Sequence, residues 1–170
     1  MYNQFQTKLP AGRHTKKLIA PIKKTAEELI NTTAGCLPYS KFRLFHETGS
    51  RTEYEALYIE HRKRLNVFAV MSLYEADSKW ISALEDAVWA VLDEFSWSFP
   101  AHIAKDKTPK EAAENLDLFS TETAFALSEI LYLLGDRIAP FVRTRAVSEI
   151  QRRVIAPYVK TDITWPKNNW

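Results

Sequence analysis

The sequence predicts an all-α protein assembled from antiparallel helical hairpins. Apolar residues recur at helical spacing through several long segments, the pattern of a helix with one buried stripe. No segment of useful length alternates apolar and polar residues, as a half-buried strand does. The chain has only four glycines, Gly12, Gly35, Gly49 and Gly135, too few for the many tight turns of an all-β chain.

The first helix is expected over 14–31, where Leu18, Ile22, Ala26, Leu29 and Ile30 share a face. Pro21 is awkward inside it and marks a true start near Ala20, because proline suits a first turn and not an interior. Gly35 ends it. Residues 36–50 lack a clean period and read as an extended connector. A long helix follows at 51–75. Tyr54, Leu57, Tyr58, His61, Leu65, Phe68, Ala69 and Leu73 form its stripe, with Arg62, Lys63 and Arg64 on or near the solvent face. The break at Ala76–Asp77 is short, so the next helix, through Phe95, must run antiparallel. Asp77 is its N-cap. Its stripe is Trp80, Ile81, Leu84, Val88, Val91, Leu92 and Phe95.

After Phe95 the pattern fails. Ser96, Trp97, Ser98, Phe99, Pro100, Ala101 and His102 place two large rings and an imidazole in non-helical backbone, since the residue before a proline avoids the helical region. Residues 103–118 are polar and read as a long loop with one helical turn near Pro109–Asn115. A third strong helix runs from Ser120, its N-cap, to Leu134, with Gly135 at the left-handed position beyond it. Pro140 opens a fourth helix that stops at Pro157, with Arg143, Arg145, Arg152 and Arg153 on its outside. Two tight pairs, 51–95 and 120–156, are thus separated by a loop, and the tail TDITWPKNNW is loop.

A chain of 170 residues with 46% hydrophobic and 12% aromatic content forms one domain with a real core. A net charge of +2 gives no reason to expect nucleic acid. The single Cys36 excludes a disulfide framework and a cysteine-rich zinc site. His14, His46 and His61 have no metal-ligand spacing to one another or to Cys36, and no glycine-rich phosphate loop occurs. Neither a metal nor a cofactor is expected. No secretory leader is visible, and no apolar run approaches the roughly 20 residues that span a bilayer. The expectation is a soluble, cytoplasmic protein with no membrane partner, a periplasmic or secreted location staying open.

Each chemically interesting residue has two readings. His102 could transfer a proton or contact a sugar, or it could hydrogen-bond a backbone carbonyl and fix its loop. Trp97 and Phe99 could stack on pyranose rings or plug the hairpin core. In an extended segment they share one side and Ser96 and Ser98 the other. Phe99 fits the core better, and Trp97 stays open. Asp93 and Glu94 sit at a helix C-terminus, where a carboxylate opposes the dipole and needs a partner, His102 or an arginine. Asn168 and Asn169, with Trp165 and Trp170 beside them, could bind a carboxylate or a sugar hydroxyl, or form a polar tail. An exposed helical face is a candidate contact between copies.

Several segments together resemble the heparinase II/III-like polysaccharide lyases. They are AVWAVLDEFSWSFPAH at 87–102, NLDLFSTETAFALSEILYLLGDRI at 115–138, VRTRAVSEIQRRVIAPYV at 142–159 and NNW at 168–170. PYSKFRLFHETGSRTEYEALYIEHRKRL at 38–65 also fits the way such chains begin. The resemblance covers most of 38–170 and rests on helices plus loop words, with no one invariant signature. It implies part of an (α/α) toroid, whose hairpins ring a cleft and which in the family precedes a β-sandwich. It implies β-elimination on uronic-acid polysaccharides, with acidic polysaccharide as the partner. In the family a neutral polar group, often asparagine, offsets the uronate carboxylate, a tyrosine or histidine removes the C5 proton, and a tyrosine protonates the departing oxygen. Asn168, Asn169 and His102 are the candidate catalytic positions, and Trp97, Trp165 and Trp170 the candidate substrate contacts. The chain departs from the pattern in stopping at Trp170, where relatives continue. The expectation is therefore an N-terminal helical portion that is inactive alone. The competing expectation is a non-catalytic helical module that binds a glycan or a protein.

Overall fold

The computed structural model describes residues 12–160. Among them every regular element is helical. Helix α1 (Arg13–Leu29) passes straight through Pro21, so the predicted start near Ala20 is corrected. Pro21 lies on the exposed face, where water can reach the carbonyl left without its helical donor. The stretch expected to be an extended connector instead holds two short helices, α2 (Tyr39–Phe42) and α3 (Leu44–Thr48). Gly49, at φ 79°, closes α3 in the left-handed conformation that other residues rarely adopt.

Helices α4 (Thr52–Tyr74) and α5 (Ser78–Asp93) form the central antiparallel hairpin. Asp77 caps α5 as expected, its side chain accepting the Lys79 amide at 3.0 Å. Leu65, Phe68 and Met71 from α4 meet Trp80, Leu84, Val88, Val91 and Leu92 from α5 in the core. Trp80 is fully buried, stacks on Phe68 and donates its indole N–H to Glu75 at 2.9 Å. Glu75 also accepts from Lys23 at 2.6 Å, tying α1 to the hairpin turn.

The chain then crosses a segment, 94–100, that is buried at every residue but Phe95, to one turn of 3-10 helix, Pro100–His102. Helix α6 (Pro109–Ala113) interrupts the long loop where a single turn was expected. Helix α7 (Leu118–Leu134) is capped by Asp117, one turn before the expected Ser120. Ser120 sits at the third position and returns the bond, its hydroxyl accepting the Asp117 amide at 2.9 Å, a reciprocal cap. Gly135 follows at φ 51°, ψ −123°, a region open to glycine alone. Helix α8 (Pro140–Ile150) leads through a wide π turn, Gln151–Ile155, into α9 (Ala156–Lys160). The rod thus runs past Pro157, where a stop was expected. No described helix is long and apolar enough to cross a membrane.

Arg153, expected on the outside, is buried. Its guanidinium donates to the Leu92 and Phe95 carbonyls, each at 3.2 Å, and its Nε to Glu149. A cation thereby covers the open carbonyls of α5, complementing the helix dipole.

Two carboxylates make the fold acid-sensitive. Glu75 lies below the ordinary glutamate value of 4.5, chiefly through its hydrogen bond from Lys23 and then that from Trp80. For Glu149 burial acts in the opposite direction, but the hydrogen bonds from Arg152 and Arg153 outweigh it and hold the group low. Depressed groups bind fewer protons in the folded state than in the unfolded one. Their contribution is complete above the unfolded value and disappears as pH falls through the folded values. The melting temperature should decline below pH 4.5, and Glu75→Gln should flatten that decline. Parallel acid limbs for parent and variant would remove Glu75 from the account.

Candidate functional site

Where α5 ends, the Glu94 backbone turns extended, at φ −59° and ψ 141°. The segment after it is sequestered by polar bonding to the α6 region. Ser96 Oγ donates to the Ala112 carbonyl at 2.9 Å, and Ser98 Oγ to that of Asn115 at 2.7 Å. Trp97 donates its indole N–H to the Val91 carbonyl at 2.9 Å and is 1% exposed. Phe99 packs on Phe119 and Tyr58. All four side chains are buried, the two serines turned to the α6 region and the two rings to other partners. The reading of Trp97 as a substrate contact is corrected: the ring offers no face to a sugar in this fold.

The carboxylate at the helix end takes basic partners, and His102 is not among them. Glu94, whose side chain is 1% exposed, accepts both Arg62 Nη atoms, at 2.6 and 2.7 Å. His61 Nδ1 lies 2.8 Å from the same carboxylate, and its Nε2 lies 2.6 Å from the Gly35 carbonyl. Both ring nitrogens thus face oxygens, and a ring carrying both protons donates to each. Arg62 also donates from Nε to Thr123 and lies 3.9 Å over the Tyr58 ring. Tyr58 bonds Thr123 and the Trp97 carbonyl, both at 3.0 Å. Burial works against the Arg62 charge, but Glu94 outweighs it and raises the guanidinium above its ordinary value. Burial also raises the Tyr54 and Tyr58 phenols. Arg62 and Arg64, expected near solvent, are half-buried and buried. Arg64 reaches the Leu29 and Thr32 carbonyls, at 3.1 and 2.8 Å. Asp93 pairs with Arg145 at 2.5 Å.

His102 is placed differently. Its ring is about a third exposed, at 35%, and stacks on Phe119. Nδ1 lies 2.7 Å from Asp117 Oδ2. That carboxylate is fixed by the Phe99 amide on Oδ2 at 3.3 Å and the Ser120 amide on Oδ1 at 2.7 Å. An ionised aspartate accepts from Nδ1–H and so leaves Nε2 as the nitrogen able to take or pass a proton. One residue, Asp117, therefore caps α7 and sets the tautomer of an accessible imidazole. The other sequence-based candidates, Trp165, Asn168, Asn169 and Trp170, lie outside the described residues.

One feature escaped sequence reasoning. A groove of about 530 Å³ opens where α2 and α3 face Phe95 and the 103–109 loop. This lies within the size range of ligand pockets, roughly 300–1,000 Å³. Phe42 is its aromatic hub, within 5.4 Å of Phe95, 5.9 Å of Tyr54 and 6.4 Å of Tyr39, centroid to centroid. Helix α3 also packs against the Pro100–His102 turn, so groove and imidazole share a supporting element. The sequence signal was the density of rings from Tyr39 to Phe45, three aromatics at three-residue spacing in too short a run to form a long stripe. Among the described residues no group of histidine, cysteine and carboxylates could hold a metal ion. No family model matches this chain, and no curated protein matches it.

Proposed function

We propose that this chain is the helical, glycan-holding part of a heparinase II/III-like lyase. Its hairpins would form part of an (α/α) toroid around a cleft for uronic-acid polysaccharides. The observation that carries the reading is the accessible His102, held by Asp117 inside one of the segments that resemble the family. In β-elimination a base removes the C5 proton, a double bond forms between C4 and C5, and the C4–oxygen bond breaks as that oxygen gains a proton. His102 Nε2 suits the proton-removing role. Asn168 or Asn169 suits the carboxylate contact.

The other proton needs a donor. Tyr58, one ring away across Phe99, is buried with its hydroxyl on Thr123 and a backbone carbonyl, so it cannot reach a leaving oxygen. We expect the chain to bind without cleaving. In native gels containing hyaluronan, chondroitin or alginate its migration should be retarded, and in gels containing neutral dextran it should not. No unsaturated uronate should accumulate in the same mixtures, followed by ultraviolet absorbance. Migration indifferent to every uronate polymer would overturn the reading.

A second reading, a helical module that holds a protein, has one observation in its favour. Leu118, Phe125 and Tyr132 recur every seventh residue of α7 and are all more than half exposed, a coherent apolar stripe. A protein partner recovered with gel migration unchanged by glycans would favour it.

A further inference from the structure

We propose that the groove between α3, Phe95 and the 103–109 loop is a subsite for one acidic sugar unit, with Phe95 and Tyr39 against the ring and Lys105 and Lys107 toward its carboxylate. This rests on the polysaccharide reading above and assigns it a place in the fold.

Two observations converge on that ligand. The first is the exposed aromatic surface. Phe95 is 46% and Tyr39 74% exposed, although both line a concave wall whose deeper ring, Tyr54, is buried. Flat rings left open at a groove suit the apolar face of a pyranose, whose hydroxyls stay at its edge.

The second is charge. Lys105 Nζ donates to the His46 carbonyl and Lys107 Nζ to Asn115 Oδ1, each at 2.8 Å. Both bonds end on neutral oxygens, so they orient the two ammoniums without neutralising them. Glu111 feels Lys107 only as the least of its influences, and its carboxylate is committed to Thr108. Two positioned cations at an aromatic rim favour an anion over a neutral sugar.

The test is calorimetry on the 170-residue chain with hyaluronan and alginate tetrasaccharides, and with cellotetraose as the neutral control. An acidic tetrasaccharide should bind and cellotetraose should not. The double variant Lys105→Gln, Lys107→Gln should weaken binding about tenfold, the effect of one lost charge-assisted bond. Lys105→Arg with Lys107→Arg should retain it. Phe95→Ala should weaken it roughly two- to tenfold. Unchanged melting temperatures would show that the variants fold. Binding equal in parent, lysine and Phe95 variants would overturn the subsite and leave the lyase reading standing. So would retardation by uronate polymers with no tetrasaccharide bound. Equal binding of cellotetraose would overturn the role given to the lysines, and with it the acidic ligand.

Discussion

Glu94→Ala is expected to cost about 3–5 kcal/mol of stability, the loss that follows removal of one partner from a buried ion pair. Domains of this size are stable by roughly 5–15 kcal/mol, so the variant should be partly unfolded at moderate temperature. The size follows from what would be left behind. Arg62 would keep its charge among Tyr58, Thr123 and the α5 end, with both Nη donors unmet. His61 would lose the acceptor of its Nδ1. Gly35 accepts from that ring's other nitrogen, so its part of the loop after α1 should loosen as well. Denaturant unfolding of parent and variant gives the loss directly, from the shift in midpoint at constant slope. The control is Arg62→Met combined with Glu94→Met, which removes both charges and keeps volume. It should be less damaging than Glu94→Ala, because apolar replacement of a whole pair is often near neutral. If Glu94→Ala melted with the parent, the cluster would carry no weight in the fold.

Trp97→Ala is expected to be equally severe, at about 3–5 kcal/mol, the usual loss for a large buried aromatic cut to alanine. The indole is enclosed, Arg153 lies 5.0 Å from its ring, and Val91 accepts its N–H. The substitution would leave a void where α5, the 94–100 segment and the π turn meet. Trp97→Phe should cost less, since it keeps most of the volume and the Val91 carbonyl still accepts the Glu94 amide at 3.4 Å. Thermal unfolding measures both, and glycan binding measured on the folded fraction separates stability from recognition. A well-folded Trp97→Ala that lost only glycan affinity would return the ring to the ligand side.

The long helices were legible because each shows its buried stripe within a single turn-by-turn period. His61, in the predicted stripe of α4, is buried accordingly. Its neighbours were misread for a physical reason. Arg62, Lys63 and Arg64 look like a solvated basic run, and only Lys63 is. What draws Arg62 inward is a carboxylate 32 residues away, and what draws Arg64 inward is the open carbonyl end of α1. Neither partner leaves a periodic trace. The same holds for Asp117, whose capping role the sequence reading gave to Ser120 and whose grip on His102 spans 15 residues. The groove was invisible because it is assembled from residues far apart in the chain, at 37–46, 54, 95 and 103–112. The aromatic word at 96–99 misled in the opposite direction: proline and serines marked irregular backbone, yet irregular backbone can be buried when side chains satisfy it, as Ser96, Tyr58 and Asp117 do.

The π turn at 151–155 works as a phase adjuster for the last rod. Ala146 and Val154 are both buried, yet eight residues of regular α-helix would leave them about 80° out of step. A wider turn takes more residues per revolution and brings the second side chain back into line. It also swings Arg153 onto the carbonyl end of α5. Shortening this stretch by one residue should therefore do more than trim a helix: it would rotate α9 about the rod's own axis.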